Sequence, residues 1–369
     1  MDESWNSELL EWMKGRALAA GFSSAGVAGA PSAADAEGTL TAERFAAWVE
    51  QGRAGEMEYL KRRNEQGELL RSSARAAMPW ARSVIVCALN YNGEGPQSIE
   101  PAAADCGWIA RYAWLGREDG GATDYHTDLL RRLRCLEAEL LAKIPCQTRC
   151  YVDTGPLLER DFAARAGIGW VGKNTCVINQ GQGSWTLLAV IVISLNLPVE
   201  VALPLHPDRC GSCTRCIEAC PTDALVAPRE MDASRCISYL TIELKGSIPV
   251  ELREGMGRQV FGCDICQDVC PWNRRAPAMT AQGLRTRQEL VNPPLGWLAD
   301  LDEAGFRQQF KGSPLERTKR RRVQRNVALA MGNSGEQQFV PKLEQWVGGD
   351  DPLVADAADW ALRRLRGDV

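Results

Sequence analysis

The sequence predicts an α/β domain over residues 1–200, a cysteine-rich α+β module over 201–280 and an α-helical region over 281–369. Three observations carry that prediction. Apolar β-branched stretches such as SVIVCAL at 83–89 alternate with helix-periodic stretches in the first part. Two cysteine runs, Cys210-x2-Cys213-x2-Cys216-x3-Cys220-Pro221 and Cys263-x2-Cys266-x3-Cys270-Pro271, flank a lone Cys236. From Arg317 to the end the pattern is helical, interrupted by turns such as GGDDP at 348–352.

In the first part, Leu9, Leu10, Met13 and Leu18 give a helix over 4–20 that stops near Gly21, and a second helix is expected over 42–51. SVIVCAL is β-branched and continuous, the pattern of a strand buried on both faces. Glycines and prolines mark a loop over 92–105, and residues 127–143 form an amphipathic helix. Cys150 to Asp153 reads as a short strand ending in a carboxylate, followed by a Thr154-Gly155-Pro156 turn and a helix bearing Glu159, Arg160 and Asp161. Ligands gather at the carboxyl ends of strands in open α/β sheets, which makes Asp153 a catalytic candidate. By local sequence alone the commoner role of such an aspartate is a cap or turn. The segment GIGWVGKNT at 167–175 does not match a nucleotide phosphate loop. Its glycines suit close approach of backbone to a large flat ligand. A strand over 185–195 leads into the cysteine module.

The cysteine spacing is that of paired iron-sulfur cubanes, in which the first three cysteines of a run hold one cluster and the fourth, before proline, crosses to the other. The second run has only three cysteines, so Cys236 takes the missing place. Cys210, Cys213, Cys216 and Cys270 are then assigned to one 4Fe-4S cluster, and Cys220, Cys236, Cys263 and Cys266 to a second. Zinc also accepts four thiolates at short spacing, but zinc ribbons lack the Cys-Pro endings and the crossing fourth cysteine. A bacterial-ferredoxin-like module is expected. The other cysteines, Cys87, Cys106, Cys135, Cys146, Cys150 and Cys176, lie among apolar neighbours and read as core residues.

Composition is that of a globular protein, 45% hydrophobic and 24% charged. The acidic start lacks the features of a signal peptide, and no apolar run is long enough to span a bilayer. A soluble, cytoplasmic, monomeric protein with no membrane partner is expected. The formal net charge of −4 conceals a local patch, RTKRRRVQR at 317–325, which contains no acid and favours phosphate contact over a merely solvated helix face. After Pro271 a connector rich in Pro, Gln and Arg is expected to lead to paired helices of HEAT type. So few helices cannot bury a face alone, so they must dock on the rest of the chain.

Several stretches together resemble the epoxyqueuosine reductase family, cobalamin-dependent iron-sulfur enzymes that complete queuosine in the tRNA anticodon. They are DYH at 124–126, DTGPLLER at 153–160, GWVGKNT at 169–175, RCISYLTIELKGSIP at 235–249, GCDICQDVCPWN at 262–273 and KRRRVQRNVALAMGN at 319–333. The resemblance implies a cobalamin-binding α/β domain, a ferredoxin-like module with two 4Fe-4S clusters and a HEAT-like tRNA-binding tail. It implies Asp153 as proton donor, with Asp124 and Arg160 lining the modified-base pocket. Tyr59, His126, Asp153, Lys173, Asn174, Thr175, Ser238 and Tyr239 are implied to face cobalamin, and Arg317, Lys319, Arg320, Arg321, Arg322 and Arg325 to hold tRNA phosphates. The connection from Trp114 to Thr123 is longer than the family pattern leads one to expect.

Removing an epoxide oxygen as water takes two electrons and two protons, whereas clusters deliver electrons singly. No flavin or nicotinamide fingerprint is present, and with His126 and His206 the only histidines there is little scope for imidazole ligation of cobalt. Cobalamin therefore rests on the resemblance. An external one-electron donor of flavodoxin or ferredoxin type is expected. Asp153 is expected to be buried, so as to hold a proton near neutral pH, and Arg160 to point at substrate rather than at Asp153. Three rivals remain: a non-enzymatic electron carrier, another corrinoid iron-sulfur reductase such as a dehalogenase, and a tRNA-binding scaffold with structural clusters.

Overall fold

A computed structural model describes residues 4–31 and 36–368. The first part is built on a four-stranded sheet with Ser24–Gly29, Ser83–Asn90, Thr186–Ile193 and Thr148–Tyr151 in spatial order. Every neighbouring pair is antiparallel. Full burial of a strand reports cover on both faces, and helices can supply that cover whatever the strand direction.

Side-chain alternation shows how the cover is arranged. Ile85, Cys87, Leu89 and Ile191 face the helices Ser7–Ala19 and Tyr125–Lys143, meeting Met13, Leu129, Leu133 and Leu136. Val84, Val86, Val190 and Val192 face the other way, onto Phe162 and Ala163 of the helix Glu159–Arg165. Fully burying each such side chain contributes about 1.5–3 kcal/mol. Gly26 permits the second packing, because a Cβ there would stand 1.9 Å from the carbonyl oxygen of Ala166.

The helix Tyr125–Lys143 begins at Asp124, whose carboxylate accepts from the backbone N–H of His126 at 3.0 Å. The long connection before it is a small hairpin. Arg117 N–H donates to the Gly121 carbonyl at 2.8 Å, and the chain turns through Gly120 at a φ of 93°. Its strand Leu115–Arg117 pairs antiparallel with Leu284–Thr286. The stretch after Pro271 is thus more than a connector, for it contributes that strand and the helices Leu295–Asp300 and Glu303–Phe310.

The tail helices are Pro314–Ser334, Val340–Val347 and Pro352–Arg366. Lys319, at a φ of 67°, kinks the first of them. Val327 and Met331 join Trp360 and Ala361 in one hydrophobic core with Leu240 and Phe261 of the cysteine module and Ile109 and Trp114 of the first part. The tail is therefore docked on the module, as its short apolar faces require. Among the described residues no helix is long and apolar enough to cross a membrane.

Candidate active site

Asp153 lies just beyond the edge strand Thr148–Tyr151, in the left-handed region with a φ of 56°. Such a conformation costs a non-glycine residue about 1–3 kcal/mol and persists only where its surroundings impose it. Arg71 imposes it here. Its guanidinium donates to the carbonyls of Asp153 at 3.2 Å and Leu157 at 3.1 Å, pinning both ends of the turn.

The Asp153 carboxylate faces a cavity of about 930 Å3. Its side chain is 48% exposed, so protein packing does not supply the expected burial. The edge strand Thr148–Tyr151 ends at the cavity wall, where Tyr151 and Asp153 both line the cavity. Tyr125 donates its hydroxyl to Asp153 Oδ2. His126 Nε2 stands 3.5 Å from the same oxygen, while its Nδ1 is 2.8 Å from Asp124 Oδ1. Arg317, from the tail, completes the network at 3.4 Å from Asp124 Oδ2 and 3.2 Å from His126 Nδ1.

The charges in this network have physical causes. Burial, then the neighbouring charge of Asp153, raises the Tyr125 phenol well above its ordinary value, so it remains a neutral donor. Burial opposes ionisation of Asp124, but hydrogen bonds from His126 and the nearby Arg317 hold its carboxyl below the usual range. Glu159 behaves oppositely. Burial first, and then the charge of adjacent Asp153, pushes its carboxyl well above the ordinary range, and its buried Oε1 has no other hydrogen-bond partner. The Glu159 carboxyl is thus biased toward its protonated form by burial and by the nearby charge of Asp153.

The cavity is lined by Arg62, Arg71, Arg149, Lys245, Arg317 and Arg322 against the carboxylates Asp153 and Glu243, with Tyr59, Tyr112 and Phe261 supplying aromatic faces. Its size is at the upper end for small-molecule sites, and its cations suit a ligand carrying phosphate.

The cysteines fall into two groups of four. Cys210, Cys213, Cys216 and Cys270 line one cavity of about 230 Å3. In the second group, Cys263 adjoins Cys236 and Cys220, and Cys266 adjoins Cys176 as well as Cys263 and Cys236, so Cys176, expected only as a core residue, stands against this group. The first four thiols thus surround a space, and among the described residues no three cysteine, histidine or acidic side chains stand at single-ion spacing. A cavity lined by four thiols suits a cubane better than one zinc ion.

Residues 209–273 match the family model described as a 4Fe-4S double cluster binding domain, and residues 71–154 match that described as epoxyqueuosine reductase QueG, DUF1730. An epoxyqueuosine reductase of Pseudomonas aeruginosa is 39% identical over 322 residues, 86% of this chain and 85% of its own. That of Escherichia coli K12 is 33% identical over 361 residues, 96% of this chain and 89% of its own. This chain belongs to the epoxyqueuosine reductase family. A crystal structure of an epoxyqueuosine reductase with an epoxyqueuosine-modified tRNA-Tyr stem loop superposes with a TM-score of 0.83 at 28% identity, covering 97% of this chain and 90% of that one. The epoxyqueuosine reductase of Streptococcus thermophilus gives 0.81 at 27% identity, covering 98% and 91%.

In this family member, Asp153, His126, Tyr59, Arg317 and Arg322 all border the large cavity, and Asp124 stands behind His126. Other expected positions do not. Arg160 donates to the carbonyl and Oγ1 of Thr175, each at 2.8 Å, because its helix directs it at the glycine-rich loop rather than at the cavity. That contact also engages Thr175. Lys173 and Asn174 border the cysteine cavity instead; Lys173 Nζ donates to Gly211 O at 2.7 Å and Asn174 Nδ2 to Cys266 O at 3.3 Å. Tyr239 is buried against Gly55, accepting from Glu56 N–H at 2.8 Å, and neither it nor Ser238 lines the large cavity.

The basic run is also divided. Arg325 is 1% exposed and donates to the carbonyls of Leu240, Leu244 and Gly246, so it cannot hold a phosphate. Arg320 is tied to the Leu301 carbonyl at 2.9 Å, whereas Arg317, Lys319 and Arg321 remain exposed. Sequence reasoning missed Arg71, Tyr125 and Glu159. Tyr125 and Glu159 lie within the DYH and DTGPLLER stretches, but Arg71 has no local signal because its role depends on contact with a turn far along the chain.

Proposed function

We propose that this chain reduces epoxyqueuosine to queuosine at the wobble position of tRNA anticodons, with the epoxide oxygen leaving as water. Two electrons and two protons convert the epoxide to the alkene and water. The carrying observation is Asp153, fixed by Arg71 and Tyr125 on the wall of a large cationic cavity.

Tyr59, Tyr112, Phe261 and the lining arginines have the size, aromatic surface and charge to hold cobalamin with its phosphate. When bound, that cofactor supplies reducing equivalents to the epoxide carbon. The protein's own part is proton delivery and orientation. Asp153 passes a proton to the oxygen as it leaves, Tyr125 and His126 fix the carboxylate, and Glu159 is the adjacent group that carries a replacement proton. The cysteine groups at Cys210 and Cys263 would hold the two clusters.

For tRNA, single-stranded loop bases are splayed out for recognition, and the modified base would enter beside Asp153. Exposed Arg317, Lys319 and Arg321 at the tail, a HEAT-like unit in this reading, with Arg62, Arg149 and Lys245 at the cavity, would hold the phosphate backbone. The test is anaerobic reconstitution with iron, sulfide and cobalamin, then reduction and mass analysis of epoxyqueuosine-containing tRNA. Loss of one oxygen that depends on cobalamin supports the reading; none, with clusters and cobalamin bound, overturns it.

A further inference from the structure

The two cysteine groups differ in their surroundings rather than in the exposure of the cysteines themselves, of which only Cys270 is buried. Cys236 and Cys263 pack against the main hydrophobic core and are flanked by buried Ile237, Phe261 and Asp264. Phe261 also lines the large cavity, so this group lies next to the site of reduction. The thiols of Cys210, Cys213 and Cys216 are instead interleaved with exposed Arg209, Gly211, Ser212, Thr214 and Arg215. Asn174 connects the two groups, for it lines the outer cavity and donates to the Cys266 carbonyl. An electron from outside meets the Cys210 group first, then the Cys263 group, then the large cavity.

The mouth of that path is positive although the whole chain is net negative at −4. Arg209 and Arg215 line it together with Trp272, and exposed Arg274 and Arg275 come directly after Asn273 in the chain. Among the described residues none of these four arginines is paired with a carboxylate, whereas Asp208 is engaged by Arg229 and Glu218 by Thr214. Unpaired cations around an otherwise acidic molecule's electron entry point steer a negatively charged partner to that point.

We propose that an acidic one-electron carrier protein docks on Arg209, Arg215, Arg274 and Arg275 and reduces the cluster held by Cys210, Cys213, Cys216 and Cys270. In each encounter one electron leaves the reduced carrier and the oxidised cluster gains it; two encounters provide the pair the epoxide takes. The proposal rests on the two-cluster reading, and not on the tRNA substrate.

The test uses the full chain carrying both clusters, without tRNA or cobalamin, and a reduced acidic flavodoxin as carrier. Cluster bleaching is followed by stopped flow, with dithionite as the small-molecule comparison, in R209E/R215E and separately in R274E/R275E. At low salt the flavodoxin rate falls by about 10- to 10³-fold in both variants, its salt dependence flattens, and the dithionite rate is unchanged. Flavodoxin rates equal to the parent in both variants overturn the proposal. If R209E/R215E loses iron, R274E/R275E decides, since those residues stand outside the thiol cavity. Failure here leaves oxygen loss from tRNA unaffected, so the two readings fail separately.

Discussion

Tyr125 donates its hydroxyl to the carboxylate of Asp153, a residue 28 positions further along the chain. Tyr125 opens a helix buried under the sheet and Asp153 closes the edge strand, so the contact ties the two elements at the cavity wall. It also fixes one carboxylate oxygen while leaving the group accessible.

Removing the acid tests the proton role directly. Asp153→Asn is expected to lower single-turnover oxygen loss from epoxyqueuosine tRNA by about 10²- to 10⁴-fold. Tyr125→Phe removes the hydrogen bond that orients the Asp153 side chain, worth about 0.5–1.5 kcal/mol, and is expected to slow the same step by about 2- to 10-fold with cluster content intact. Full turnover in Asp153→Asn would remove Asp153 from this role.

Glu159 gives a signed pH dependence of stability. Its folded value is raised above the unfolded 4.5 by burial and by Asp153, so the stability associated with its protonation is present below 4.5 and is lost as pH rises through the folded value. Glu159→Gln removes that loss. The melting temperature of the variant minus that of the parent is expected to increase from pH 5 to pH 8; a constant difference would show that Glu159 ionises normally.

The arginines of the tail are expected to separate by role. Arg325→Met leaves the carbonyls of Leu240, Leu244 and Gly246 without their donor, at about 1–3 kcal/mol for each group left unsatisfied. It should depress the melting temperature. Replacing Arg317, Lys319 and Arg321 together should leave stability nearly unchanged while weakening tRNA binding and flattening its dependence on salt. Unchanged tRNA affinity across salt would remove the exposed arginines from the interface.

Cys236 tests the crossed assignment. Cys236→Ala is expected to lose the cluster shared with Cys220, Cys263 and Cys266, about four irons per chain, while retaining the other. Iron content and electron paramagnetic resonance after reduction would check this. Full iron in Cys236→Ala would mean another group takes its place, whereas Cys87→Ala, in the sheet core, should retain both clusters.

Short-range patterns were legible in the sequence because their causes are local. The apolar run at 83–89, the helical periodicity around Leu129 and Leu133 and the cysteine spacing each report a strand, a helix or a ligand set from a few neighbouring residues. Strand direction was not legible, since Val84, Val86, Ile191 and Val192 are as buried in this antiparallel sheet as they would be in a parallel one.

By itself the sequence determined many of the element types, the iron-sulfur character of the cysteine runs and the family motifs around Asp124 and Asp153. Only the tertiary structure decided which charged groups serve the site. Arg325 and Arg317 lie in one basic run, yet one is sealed in the core on backbone carbonyls and the other reaches Asp124. Arg160 and Glu159 are adjacent, yet one is drawn to Thr175 and the other is buried against Asp153. Charge is written in the residue, but burial and partners come from elements far apart in the chain. Those long-range contacts set which groups ionise and which face the cavity.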